Sequence, residues 1–281
     1  MAIDIMVSFE QEPAQLDFIW PGFLSGTVGA LIAPGATGKS FWALEASMSV
    51  AGGDLLDLNP FHSGRVFYLA GEDPEAVLVR RIHAIGKYFD LSTRQAIAEN
   101  LIVEPIMGSL FNIMDERHLE RLIEFCTGMR LIVLDTLSRL HTLDENSNAD
   151  MARLVSRLEH VAVRTCASVL YLHHVNKGSA RDGLADQQQA ARGASALIDN
   201  ARWCGFVAKM TEDEAKTLSS CGGQPIGNDR RGFYVRFGVS KQNYDPIQID
   251  RWYEQKEGGV LVPVELMEVS SGWKGIDLEQ V

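Results

Sequence analysis

The sequence predicts an α/β fold: a mostly parallel central sheet that ends in an antiparallel C-terminal extension and a hairpin. Three observations carry this expectation. From about Thr27, short apolar runs rich in β-branched residues alternate with stretches of helical period. Strands that are apolar throughout belong to a parallel sheet covered by helices on both faces. At the first junction of the series stands APGATGKS, Ala33 to Ser40, a glycine-bearing loop between a strand and a helix. After Arg202 the helical stretches give way to strands separated by turns.

Taken in order, Val28 to Ile32 is the first buried strand, and the helix after the loop runs from Lys39 to about Ala51. Arg65 to Ala70 (RVFYLA) is the second strand; GEDP follows it, with Pro74 suited to the first turn of a helix. LIVEP (Leu101 to Pro105) and RLIVLD (Arg130 to Asp135) are two more strands, with helical spacing from Asp115 to Phe125 between them. Met151 to Arg164 is a strongly amphipathic helix that gathers Leu154, Val155, Leu158, Val161 and Ala162 on one face. Ser168 to His173 (SVLYLH) closes the alternating series. RWCGFVAKM, GFYVRFGVS, IQIDRWYEQ and GVLVPVE then form the antiparallel extension, with KEGG as the turn of the terminal hairpin.

A chain of 281 residues holds one large α/β domain or two small ones. Without an internal repeat or a low-complexity linker, the expectation is a short N-terminal segment (1–15), one domain (16–269) and a polar tail (270–281). The net charge of −11 argues against a broad basic face for duplex DNA. A small basic channel stays open, because a field is local and net charge is not. Cys126, Cys166, Cys204 and Cys221 lie far apart with no C-x-x-C pair, which points to reduced, mostly buried thiols and to neither a metal site nor a disulfide framework. MAIDIMVSFEQEP has acids and no basic region, so it is not a secretory signal, and no window approaches eighteen consecutive apolar residues. A cytoplasmic protein with no membrane partner is expected.

APGATGKS departs from the phosphate-binding pattern G-x-x-x-x-G-K-[ST] at its first position, where Ala33 stands. The mechanics survive the substitution, provided that the backbone at Ala33 does not need positive φ. Gly35 and Gly38 stay where the chain turns tightly. In the loop that Pro34 opens, the backbone N–H groups of Gly35, Ala36, Thr37, Gly38, Lys39 and Ser40 face a phosphate together with the helix N-terminus. Lys39 reaches the β- and γ-phosphates of ATP and Ser40 ligates Mg²⁺. Asp135, at the end of an apolar strand, is the candidate partner of that Mg²⁺; a helix cap is its bland alternative. Glu72 and Asp73 follow the second strand, where a carboxylate can orient water. Glu72 is expected to be the base and Asp73 the cap of the next helix. His173 and His174 end the fifth strand. Adjacent histidines on an extended chain point to opposite sides and suit one metal poorly, so one of them is expected to sense the γ-phosphate and the other to pack or cap.

APGATGKS, AGEDP, LIVLDTLSRL, YLHHVNKGSA, DQQQAARGAS and VSKQNYD occur in this order between about Leu16 and Pro263. Together they resemble the RepA family, the hexameric RecA-like replicative DNA helicases of broad-host-range plasmids. The glycine loop is common to many families; the histidine pair, DQQQ and RG segment is far more specific. The resemblance implies a RecA-like P-loop NTPase, a homo-hexameric ring with ATP and Mg²⁺ between neighbours, and single-stranded DNA, plasmid initiator and primase proteins as partners. It makes Glu72 the catalytic glutamate, Asp135 the Mg²⁺ acid, and His173 or His174 the γ-phosphate sensor. Arg202 in DNARW matches the arginine donated across the interface, and Arg81 in VRRIH a family arginine near the site. Lys241 in SKQNY resembles the trans lysine of related helicases, although Asn243 stands where an arginine usually follows.

The stretch from Asn176 to Arg192 carries Lys177, Arg181 and Arg192, which six copies would arrange around a pore to track one strand's phosphates. It lacks aromatic residues, so base stacking should contribute little. Two other functions share these features. One is a nucleotide-switched binding module that regulates without translocating; the other is a strand-exchange recombinase, disfavoured by the short acidic N-terminus. A water-activating glutamate and a trans arginine favour the motor, since a pure switch needs neither.

Overall fold

β1 (Val28–Ala33), which enters the glycine loop, lies inside a nine-stranded sheet. Parallel to it run β2 (Val66–Ala70), β3 (Leu101–Pro105), β4 (Leu131–Asp135), β5 (Ser168–His174) and β6 (Trp203–Lys209). A two-residue strand, β7 (Leu218–Ser219), separates these in sequence from β8 (Tyr234–Gln242), β9 (Asp250–Gln255) and β10 (Leu261–Val264), which extend the sheet antiparallel; β11 (Met267–Glu268) pairs with β7. The order is β10-β9-β8-β6-β1-β5-β4-β2-β3. The computed structural model describes residues 2–175, 195–220, 223–244 and 249–269. Lys177, Arg181, Arg192, Cys221 and the tail from 270 lie outside the described residues.

The helices are α1 (Ile5–Glu10), α2 (Lys39–Ala51), α3 (Glu75–Gly86), α4 (Leu91–Asn100), α5 (Glu116–Cys126), α6 (Asn148–Thr165), α7 (Ser195–Asn200) and α8 (Glu212–Thr217). Strand alternation divides the core in two. Leu31, Tyr68, Val133 and Leu172 face one way and pack with Trp42, Leu78 and Ile97 of α2, α3 and α4. Ile32, Phe67, Ile132 and Tyr171 face the other and pack with Leu122, Leu158 and Ile198 of α5, α6 and α7. Helices on both faces explain why the middle positions of these strands are apolar without alternation. α4 is an element the periodicity did not announce, since Ile97 is its one buried residue.

One expectation is corrected. RWCGFVAKM does not open the antiparallel extension: β6 pairs parallel with β1, Gly29 opposite Trp203, and turns antiparallel only towards β8. The Arg202 N–H donates to the Val28 carbonyl at 2.9 Å, so the chain enters β6 beside the start of β1. Strand direction is set by where the preceding crossover delivers the chain, and an apolar run does not encode that. Beneath this junction Trp203 stacks on Phe23 at 5.2 Å between ring centres. Gly29 and Gly205 leave the room: a Cβ at Gly29 would meet Phe23 at 2.9 Å, and one at Gly205 would meet Trp203 at 2.5 Å.

Among the described residues no helix is long and apolar enough to cross a membrane. Cys126 and Cys204 are buried thiols and Cys166 is an exposed one. The parallel register brings the strand ends into line, Ala33 opposite His174 and Ala70 opposite Asp135. The loops that leave these ends therefore meet at one edge of the sheet.

Candidate functional site

At that edge, Pro34, Ala36, Thr37, Gly38, Lys39 and Ser40 share a crevice of about 200 Å³ with Glu72, Asp73, Arg81 and His174. Ala33 is the last residue of β1, buried and extended, so glycine is not required there. The left-handed positions are Ala36 (φ 64°) and Gly38 (φ 101°). Gly35 is not one of them, and a Cβ on it would meet nothing within 4 Å. The turn is held by the Thr37 hydroxyl, which donates to the Pro34 carbonyl at 2.8 Å. Gly38 caps α2 without any side-chain bond, so the first-turn N–H groups are left for an anion in the crevice.

Lys39 is buried, and its Nζ reaches Thr136 Oγ1 at 3.4 Å. Burial pushes its pKa down to about 8, with Asp135 and then Glu72 pulling the other way. A buried amine with one long hydrogen bond fits an anionic ligand, which would supply the missing charge and acceptors. Ser40 Oγ donates to Asp135 Oδ1 at 3.2 Å. A serine hydroxyl and a carboxylate oxygen side by side are hard oxygen donors, which suits Mg²⁺ carried in with a phosphate chain. Asp135 is buried at the end of β4, and desolvation raises its pKa against bonds from Tyr68 and Ser40 and the Lys39 charge.

Glu72 Oε1 lies 3.3 Å from His174 Nε2 at the mouth of the crevice, both side chains partly exposed. His173 faces the other way, as alternation requires, and is buried. Its pKa falls to about 4, by burial first and then by the Lys39 charge, so its imidazole is neutral. Asp73 is not the cap of α3. Pro74 holds that place, and the Asp73 carboxylate pairs with Arg81 at 2.5 Å. A guanidinium makes a stronger, charge-assisted bond than a helix N–H, and it is within reach two turns along α3. Arg81 also lies over the Phe41 ring, 4.9 Å from its centre.

Arg202 and Lys241 are not in this crevice. Both lie at the opposite end of the sheet: Arg202 by its bond to Val28, and Lys241 by its place opposite Cys204. Lys241 Nζ donates to the carbonyls of Ile198 (3.2 Å) and Asp199 (2.6 Å), near the end of α7. Neither lines the crevice of its own chain.

Sequence reasoning missed three neighbours of the site. Tyr68 is fully buried and donates to Asp135 Oδ2 at 2.5 Å. Its signal was a hydroxyl inside the apolar run RVFYLA, on the same face as the strand end. Thr136 accepts from Lys39 and donates to the Leu172 carbonyl at 2.8 Å. Phe41 is covered from outside by the KEGG turn, where Gly258 (φ 76°) and Gly259 (φ 91°) are left-handed. A Cβ on Gly259 would meet the Phe41 ring at 2.6 Å, and one on Gly258 would meet Ala84 at 2.7 Å.

The family model for the AAA domain matches residues 4–180. Among solved structures, one of an ATPase domain superposes with a TM-score of 0.62 at 14% identity, over 86% of this chain and 86% of that one. A DnaB-like replicative helicase, solved to show its interactions with primase, gives 0.59 at 12% identity over 85% of this chain and 57% of that one. The RadB recombinase gives 0.51 at 16% identity, over 85% and 90%. At such identities the likeness speaks for the fold, which is that of the RecA-like ATPases.

Proposed function

The chain belongs to the AAA domain family, and on that premise we propose that it is an ATP-driven DNA helicase of the RepA type. It acts in the cytoplasm as a homo-hexameric ring that moves on single-stranded DNA and opens duplex during plasmid replication. The observation that supports this most is the convergence of Lys39, Ser40 and Glu72 on one crevice at the strand ends, with the buried Asp135 bonded to Ser40. The α2 N-terminus and Lys39 hold the phosphates, and Ser40 and Asp135 hold Mg²⁺. Bound Mg-ATP supplies a γ-phosphoryl group open to attack by water. Glu72 accepts the proton of that water, and His174, at hydrogen-bond distance, holds the carboxylate and reports the γ-phosphate to the loop that follows β5.

Arg202 stabilises charge on the γ-phosphate of a neighbouring chain, with Lys241 beside it. This assignment is supported by its position, exposed and remote from its own crevice. The DnaB-like neighbour of the fold was solved with respect to primase, which makes primase a reasonable partner to test alongside an initiator protein. Lys177, Arg181 and Arg192 are proposed to track the DNA backbone.

The test is ATP hydrolysis with and without single-stranded DNA, together with strand displacement of a forked duplex. Stimulation and displacement are expected. ATP binding without either would identify a nucleotide-switched binding module instead. Arg202→Ala should bind ATP yet lose roughly 10³–10⁵ in rate, as for arginine fingers generally. Mixing it with Lys39→Ala should restore activity at the interfaces that pair a sound loop with a sound arginine.

A further inference from the structure

Helix α7 has six residues, too few to hold a helix in place by its own hydrogen bonds. Side chains hold it instead. Its carbonyls at Ala196, Leu197, Ile198 and Asp199 each accept from one, which settles the acceptors that a helix end leaves open. The Asn200 side-chain amide donates to Ala196 at 2.8 Å, and the Tyr171 hydroxyl of β5 donates to Leu197 at 2.5 Å. Lys241 of β8 takes the other two, Ile198 at 3.2 Å and Asp199 at 2.6 Å. A cation at the negative end of a helix strengthens those bonds.

Lys241 reaches α7 because β8 carries an extra residue. Phe237 and Val239 point into the half of the core that holds Trp42, and strict alternation would send Lys241 the same way. Val239 lies opposite Gly205, however, and Lys241 opposite Cys204, so Ser240 is left over as a bulge. One inserted residue turns the next side chain to the other face of the sheet. Cys204 and Ile198 belong to that second half of the core. The Ser240 hydroxyl ties the bulge down, donating to the Cys204 carbonyl at 3.3 Å. The irregularity thus brings an ammonium to the end of α7.

We propose that Lys241 is a positioning residue: it holds the end of α7, fixes the backbone from which Arg202 leaves the fold, and acts on the reaction through Arg202 without touching a phosphate. Beyond the clamp the chain is held again, since Ala201 is buried and the Arg202 N–H donates to the Val28 carbonyl at 2.9 Å. The backbone is therefore fixed on both sides of Asn200, and the exposed Arg202 side chain starts from a set point. The carbonyls of Ile198 and Asp199 occupy two of the three donors that an ammonium has. The role rests on the reading of Arg202 as the residue that serves a neighbour's γ-phosphate; the clamp itself does not.

Two measurements test it. The first is hydrogen exchange of the full chain without nucleotide, read in the peptide from α7 to Trp203. Lys241→Met keeps the apolar stem and loses the donors, so exchange there should become about tenfold faster or more, as the loss of charge-assisted bonds implies. Lys241→Arg, whose guanidinium can donate to both carbonyls, should restore the protection. A lysine that serves only a neighbour's phosphate would leave this exchange unchanged, and that result overturns the proposal. The second is steady-state ATP hydrolysis. Lys241→Met should lower kcat by up to about 10²-fold, the cost of a misplaced group, with KM for ATP near wild type. Adding Lys241→Met to Arg202→Ala should cost nothing more, because no arginine is left to position. Losses that multiply in the double variant would give Lys241 a phosphate contact of its own and overturn the proposal. A wild type that does not hydrolyse ATP would overturn the reading of Arg202, and this role with it, while the exchange result still reports on the clamp.

Discussion

The Tyr68 hydroxyl donates to Asp135 Oδ2 while the Ser40 hydroxyl donates to Oδ1, so each carboxylate oxygen has its own donor. A phenol from β2 thereby orients the acid at the end of β4, in a buried place where an unbonded carboxylate would be costly. Tyr68→Phe removes that donor and little volume. The Mg²⁺ concentration needed for ATP binding should rise about tenfold, the usual cost of losing an outer-shell partner. Nucleotide binding without metal should be unchanged. A Mg²⁺ titration that does not move would reduce Tyr68 to a packing residue.

Lys39 gives a pH dependence with a definite sign. With the crevice free its amine titrates at about 8, and a bound phosphate raises that value by opposing charge. Binding therefore takes up a proton above about pH 8, and affinity for ATP should fall there by up to about tenfold per pH unit. Calorimetry in two buffers of different ionisation heat reads the proton directly. Lys39→Arg, whose guanidinium does not titrate, should lose the slope even where it binds less well. A wild-type affinity that is flat to about pH 10 would remove Lys39 from the phosphates.

Glu72→Gln should keep ATP and lose on the order of 10²–10⁴ in turnover, since it removes a base and no metal ligand. Asp73→Asn should be milder, because it loosens Arg81 and touches no reacting group. Single-turnover hydrolysis of the two variants decides between them; the reverse ranking would exchange their roles.

These residues also show how far the sequence could be read. Strand, loop and helix at Ala33 to Ala51 are local patterns, and the acid of LIVLD is legible by its place at a strand end. What escaped depends on neighbours distant in the chain. Asp73 pairs with Arg81 because α3 turns that side chain back over its own start, which no cap pattern reveals. The bond from Tyr68 to Asp135 needs β2 beside β4, an order that the sequence does not state. Ala36 takes a left-handed position where the pattern points to Gly35, so the glycines located the loop but not each of its tight residues.

Glu45 offers a second titration, away from the crevice. It is fully buried in α2, its Oε1 accepts from the Leu261 N–H at 2.9 Å, and its Oε2 has no hydrogen-bond partner among the described residues. Burial pushes its pKa up from 4.5 to about 8, against the Leu261 bond. Between those values the folded chain holds a proton that the unfolded chain has released, so this group's stabilising share is lost as pH rises. Glu45→Gln should therefore melt near wild type at about pH 5 and above it at about pH 9, the gap growing by at most about 1.4 kcal/mol per pH unit. A gap independent of pH would mean that Glu45 is ionised in the folded protein.

The turn at Gly258 and Gly259 has a consequence for how the protein is made. It closes over Phe41 and Ala84, residues translated long before it, and Glu45 waits in the same way for Leu261. β1 finds its sheet partners only in β5 and β6, and the outer support of α2 arrives later still, with β10 and the turn before it. A chain stopped before Gly258 would leave Phe41 without the turn that covers it and Glu45 without the Leu261 N–H.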